Sequence, residues 1–187
     1  MDPGPPLPTT AFSATLEEVT QSQEEGAVLL LCRVYRSSRG RVRTDFLVVG
    51  NPEEASTVAW LFDAESRVMV LVNRTSGAVL QRHAFERSRG SFWAWNGPGP
   101  FTPFPFPHEG MPRREELGTR VLEGFVARGA LTVYTDGWHE CWTAGDLIDA
   151  PLLERWRVAS GHERTTQLFA IRLGEPDAGL FAALDAR

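Results

Sequence analysis

Apolar residues in this chain recur at every second position or in short unbroken runs, and each stretch is closed by residues that turn a backbone. That pattern excludes a helical bundle, whose apolar faces repeat at about 3.6 residues, and points to short antiparallel strands joined by tight turns. Phe12, Ala14 and Leu16 alternate with Ser13, Thr15 and Glu17, and Ala27 to Tyr35 forms a run with the length of a buried strand. Ser37-Ser38-Arg39-Gly40 then turns the chain, with glycine placed to take a positive φ. Val42, Thr44 and Phe46 alternate again. Val58 to Phe62 and Val68 to Val72 flank the turn Asp63-Ala64-Glu65-Ser66, and Asn73 to Gly77 leads into Ala78 to Phe85. Further strands are expected at Val121 to Ala127, Ala130 to Tyr134, His139 to Thr143, Leu153 to Val158 and Thr166 to Leu173. One short terminal helix is expected from an Asp177 N-cap through Leu184, just after Pro176. The fold class is therefore all-β, a curved antiparallel sheet with short helical segments, notably at the C-terminus.

Two stretches break the pattern. Residues 1–10 are rich in proline and read as an extended arm, leaving residues 11–187 as one β-rich domain. Within it, residues 88–113 form a long aromatic and proline-rich loop: Phe92, Trp93 and Trp95 precede Asn96-Gly97-Pro98-Gly99-Pro100, and Phe101, Phe104 and Phe106 interleave with Pro103, Pro105 and Pro107. Proline cannot donate to a strand ladder, so this stretch is extended without being sheet. Each of the six aromatics has about 150–250 Å² to bury. They either fold back on the protein's own sheet or dock a partner, a lipid or another apolar ligand, because such patches rarely stay bare on a monomer.

All 19 basic residues are arginine. Schiff-base chemistry and a phosphate loop with its lysine are thereby excluded. The net charge of −5 gives no bulk attraction for nucleic acid or an anionic membrane. No apolar run reaches the roughly 20 residues of a membrane span, so no transmembrane segment is expected, and peripheral membrane association is the membrane role considered. Met1-Asp2-Pro3-Gly4-Pro5-Pro6 shows no basic segment followed by an apolar one. The expectation is a cytoplasmic protein if Met1 is the native start, and an exported or periplasmic one if a signal has been removed.

Arg33, Arg36, Arg39, Arg41 and Arg43 crowd one hairpin, and two uses compete for them. Arg36, Arg39, Arg41 and Arg43 contact an anion or acidic partner, or they line a solvated strand face with cross-strand pairs to Asp45 or a neighbouring glutamate. Cys32 and Cys141 are either bridged, in an exported protein, or two free thiols. His139-Glu140-Cys141, with His162-Glu163 further on, holds metal-ligand residue types, yet no second pair stands at a defined spacing, so no metal and no cofactor are expected. A Cys–His catalytic pair needs an orienting third group, and the sequence names none. Glu115 and Glu116, beside Arg113 and Arg114 at the entrance to a strand, read as a charged solvent loop and not as a carboxylate pair held across a cleft. No catalytic residue is assigned.

Three stretches carry a resemblance. Val34-Tyr35-Arg36-Ser37-Ser38-Arg39-Gly40-Arg41-Val42-Arg43 is similar to a "YRDSxGRxR" hairpin. Glu116-Leu117-Gly118-Thr119-Arg120-Val121-Leu122-Glu123-Gly124-Phe125-Val126-Ala127-Arg128-Gly129 is similar to "ELGTxxIEGxxAxG", and Gly174-Glu175-Pro176-Asp177-Ala178-Gly179-Leu180-Phe181 to a terminal "GEPDPxLF". In this order they resemble a loose family of usually exported bacterial β-rich proteins of the half-barrel class, which includes the lipoprotein carrier LolA and the periplasmic regulator RseB. The resemblance implies a half-barrel sheet and supplies no catalytic residues. The chain departs from the family in lacking an export signal and in ending on Leu184-Asp185-Ala186-Arg187 where a strand is usual.

The sequence therefore describes a non-catalytic binding protein whose curved sheet and aromatic loop engage an apolar ligand or a protein partner. The alternatives are an accessory subunit of a larger, membrane-associated assembly and an enzyme with an unrecognised site. Truncating Trp93, Phe104 and Phe106 to alanine separates the two uses of the loop. If the rings plug the core, each change costs about 3–5 kcal/mol in denaturant unfolding. If they anchor a partner, stability holds while binding weakens by about 2 kcal/mol or more per ring.

Overall fold

The computed structural model describes residues 10–22, 26–63, 65–84, 111–147 and 150–186. They form one open antiparallel sheet of eleven strands. A first meander runs through β1 (Phe12–Ser22), β2 (Gly26–Arg36), β3 (Arg41–Ala55), β4 (Val58–Asp63), β5 (Val68–Asn73) and β6 (Val79–Ala84). A second runs through β7 (Arg113–Leu122), β8 (Phe125–Tyr134), β9 (Gly137–Ala144), β10 (Ala150–Val158) and β11 (Glu163–Leu173). The spatial order is β6-β5-β4-β3-β2-β1-β11-β10-β9-β8-β7, so the first and last strands of the chain pair at the middle and β6 and β7 form the two rims. The link from β6 to β7 joins one rim to the other.

The turns sit where small polar residues and glycine allow them. Gly40 has φ +77° at the β2–β3 turn. Asp63 Oδ1 accepts the backbone N–H of Glu65 at 2.9 Å, and Asn73 Oδ1 accepts those of Thr75 and Ser76, both at 2.9 Å. Such side chains replace the ladder partners a turn lacks.

Three sequence expectations need correction. A continuous strand over 121–127 does not exist: Glu123 and Gly124, at φ +50° and +82°, make a two-residue turn between β7 and β8. Positive φ at both central residues matches the twist of the flanking strands, which is why a glutamate is tolerated there. β8 then passes unbroken through Arg128 and Gly129. Glu115 and Glu116 lie within β7, not in a loop. The terminal helix is two pieces, a 3₁₀ turn at Ala178–Phe181 and an α turn at Ala182–Asp185. Asp177 does cap the first, accepting the Gly179 N–H at 2.7 Å.

The sheet is strongly curved. Arg36 on β2 donates through Nη1 to the Leu147 carbonyl, 3.5 Å away, just beyond β9. Four strand steps of about 4.8 Å separate β2 from β9 in a flat sheet, far beyond one side chain's reach. Thr10 bonds the Asp146 carbonyl at 2.9 Å, and Glu123, at the β7–β8 tip, accepts the Ala170 N–H of β11 at 3.1 Å. The concave face gathers Phe12, Leu16, Cys32, Phe46, Leu152 and Leu168 into one apolar cluster drawn from strands along most of the sheet. The convex face of β4 and β5 buries Ala59, Leu61, Val70 and Val72 under Phe181 and Leu184.

β1 and β11 meet at Leu16 and Leu168, the latter 1% exposed. Leu168→Ala is expected to cost about 2–5 kcal/mol in urea unfolding. A loss below about 1 kcal/mol would mean that this seam is not tightly packed.

Candidate functional site

Residues paired directly across an antiparallel ladder point to the same face. One such row on the concave side runs Glu18, Thr166, Glu154 and Cys141 across β1, β11, β10 and β9, and the next runs Thr20, Arg164, Trp156 and His139. Both continue the face that carries Leu16 and Leu168, so the apolar floor passes into a half-buried ionisable patch. Thr166 Oγ1 donates to Glu18 Oε2 at 3.1 Å. Cys141 Sγ donates to Glu154 Oε1 at 3.7 Å, and His139 Nε2 stands 3.5 Å from that same oxygen. Trp156 stacks flat on His139, ring centres 3.6 Å apart and planes 12° from parallel, and the Arg164 guanidinium lies 5.9 Å from the indole centre.

Burial governs the electrostatics. Desolvation raises the Glu18 carboxyl above its usual value of 4.5; Arg164 and the Thr166 hydroxyl oppose that shift, and Glu154 adds to it. Desolvation also pushes the Cys141 thiol well up, reinforced by Glu154, while Arg114 pulls the other way. Cys141 is thus held as a thiol and not as a nucleophilic thiolate. Cys32 is raised in the same way, by burial first and then by Glu18 and Asp45.

The arginines of the β2–β3 hairpin do not converge. Arg36 pairs with Phe12 on the concave side, 2% exposed, where burial lowers its pKa. Arg41 and Arg43 lie on the convex side and hold the C-terminal segment. Arg41 grips Asp185 through two nitrogens at 2.7 and 3.0 Å and lies 3.3 Å from Asp63. Those hydrogen bonds raise the Arg41 pKa and lower that of Asp185. Arg43 bonds Asp45 at 2.6 Å and the Leu180 carbonyl at 2.9 Å. Arg39 makes an exposed pair with Glu65, and Arg33 is exposed. Beside this clamp, Ser13, Tyr35, Arg172 and Leu180 line a shallow convex cavity of about 340 Å³.

Cys32 and Cys141 are both free, and β1, β11 and β10 lie between their strands. Bridging needs Cα atoms within about 7 Å. His162 is exposed in the β10–β11 turn against Ser160, and Glu163 pairs with Arg157, so neither joins His139. Glu115 and Glu116, adjacent in an exposed strand, point to opposite sides and pair with Arg113 and Arg114. Phe92, Trp93, Trp95, Phe101, Phe104 and Phe106 lie outside the described residues. Sequence reasoning missed Glu154 and Glu18. The signal for Glu154 lay in hairpin pairing, which sets it opposite Cys141.

No protein-family model matches the chain, and no curated protein matches it in sequence. Solved structures do match in shape. The MucA/MucB complex of Pseudomonas aeruginosa aligns with a TM-score of 0.52 at 13% identity, over 92% of this chain and 55% of the matched chain. MucB in complex with MucA(peri) aligns with a TM-score of 0.51 at 12% identity, over 92% and 53%. A LolA superfamily protein from Nitrosomonas europaea aligns with a TM-score of 0.48 at 9% identity, over 95% and 92%. The chain shares its fold with the matched part of the MucB-complex structures. It spans about half the length of the MucB-complex chains it matches.

Because the Glu18 carboxyl is raised, the folded chain holds that proton more tightly than the unfolded one. Its contribution to stability therefore falls as pH rises from about 4.5 through its folded pKa. Glu18→Gln is expected to raise Tm at neutral pH, by a margin that shrinks as pH falls through the folded pKa toward 4.5. Melts across pH check this, and a lower neutral Tm would show the carboxylate to be net stabilising.

Proposed function

We propose that this chain is an exported, non-catalytic binding protein that engages an apolar ligand or a protein partner on the concave face of its sheet. The observation that carries the reading is the way that face is built. Its apolar cluster draws on strands from both meanders and is fringed by the partly buried Val58, Trp60, Leu122, Phe125 and Ile171, while β6 and β7 leave the sheet open at its rims. The link between the rims carries the six aromatics of the sequence, Phe92 through Phe106, which supply further anchors in this reading. A catalytic role finds little support in Cys141, whose thiol is held protonated beside Glu154. Among the described residues no helix is long and apolar enough to cross a membrane.

A second reading, an accessory subunit of a larger membrane-associated assembly, draws on the MucB structures, which were solved with MucA. Native mass spectrometry of protein purified without detergent separates the two. A retained lipid-sized adduct, with displacement of an anilinonaphthalene probe by added fatty acid, is expected of an apolar-ligand carrier. A stoichiometric protein complex from native extract, with no adduct, is expected of the accessory subunit. A chain that carries neither, and whose delipidated form takes up no probe, refutes the binding reading.

A further inference from the structure

The ligand-type atoms of His139, Cys141 and Glu154 all lie within 4.8 Å of one another, inside the half-buried row on β9 and β10. The thiol sulfur and the imidazole Nε2 stand 3.7 and 3.5 Å from one carboxylate oxygen. A tetrahedral zinc-class ion, with bonds of about 2.0–2.3 Å, sets its ligand atoms about 3.3–3.6 Å apart. The two measured separations are within a few tenths of an ångström of that.

The histidine supplies a second observation. Its Nε2 is buried and, at 3.5 Å from Glu154, makes no hydrogen bond. A nitrogen left so, in reach of a thiol and a carboxylate, has the orientation of a ligand. Trp156 holds the ring plane from behind by stacking, which fixes the imidazole before any ion arrives. The strand geometry supports the same trio: residues two apart on β9 share a face, and Glu154 pairs with Cys141 in register.

We propose that His139, Cys141 and Glu154 form a binding site for one zinc-class divalent cation, with Cys141 ligating as the thiolate. As the sulfur–metal bond forms, the thiol releases its proton to solvent, and the imidazole binds as the neutral base. A sulfur, a nitrogen and a carboxylate oxygen select zinc or cobalt over magnesium and calcium, which take oxygen ligands. Three protein ligands leave a fourth position for water or a ligand atom. The charged and polar neighbours facing the site include Glu18 on β1, Arg164 and Thr166 on β11, Thr132 on β8, and Arg114 and Glu116 on β7. The inference is independent of what the concave face binds.

Titration of chelator-treated full chain with cobalt(II) tests it. The expected result is saturation at one equivalent with a thiolate-to-cobalt absorption band in the near ultraviolet, and displacement of that band by one equivalent of zinc(II). Cys141→Ala is expected to abolish the band, and Glu154→Gln and His139→Gln to weaken cobalt binding at least tenfold. Cys32→Ala, which alters the other thiol across the sheet, is expected to keep the band, and so assigns it to Cys141 even if Cys141→Ala fails to fold. Cobalt binding without a thiolate band, a band lost in Cys32→Ala, no binding at one equivalent, or unchanged affinity in folded Glu154→Gln would each overturn the site.

Discussion

β11 returns to pair with β1, and among the described residues that is the one strand ladder between the meander β1–β6 and the meander β7–β11. Every other ladder links strands that follow one another in the chain. The β1–β11 seam therefore bears the loop-closure cost of bringing distant segments together. Leu16 and Leu168 offset it by burial, and the Thr166–Glu18 hydrogen bond adds to them. The seam also contains a bulge. Ser13 and Thr15 face Arg172 and Phe169, so β11 carries an extra residue there, and Ala170 takes φ +52°. A bulge sharpens the local bend of a strand. Glu123 reaches over from the β7–β8 tip to take the Ala170 N–H that the bulge leaves outside the ladder.

Curvature divides the charge of the chain between two tasks. On the convex side, Arg41 and Arg43 fasten the C-terminal turns, and Arg82 donates to the Ala183 and Ala186 carbonyls at 2.6 Å. Those carbonyls are the acceptors that a short helix leaves unpaired at its end. On the concave side, Glu18, Glu154, Cys141 and His139 stand at the edge of an apolar floor, and desolvation raises the pKa values of Glu18 and Cys141. The same strand, β2, passes from Arg36 on one face into a hairpin whose arginines serve the other.

Hairpins whose turns hold Asp63, Asn73 or Gly40 were legible in the sequence, because those residues act locally. The β7–β8 turn was not, since Leu122-Glu123-Gly124-Phe125 reads as part of an apolar run and only the sheet twist favours a glutamate at positive φ. The resemblance gave the half-barrel, whereas the bulge at Ala170 has no local signature. Of the candidate site, His139 and Cys141 were visible as a pair on one strand face. Glu154, thirteen residues past Cys141, comes to it through the register of β9 on β10, which periodicity alone does not specify. The arginine cluster was visible too, but alternation sends Arg36 to one face and Arg41 and Arg43 to the other.

The rim-to-rim link has a further consequence for the way the molecule can be taken apart. Since residues 85–110 lie between β6 and β7 and no described ladder crosses that junction except β1 on β11, a chain severed there keeps every described strand pair. Each half is a meander ending in an unpaired strand edge, β1 in one and β11 in the other, and each edge is the template for its counterpart. The fold is in this sense two complementary fragments sharing one covalent tether, and cleaving the tether converts an intramolecular seam into a heterodimer interface.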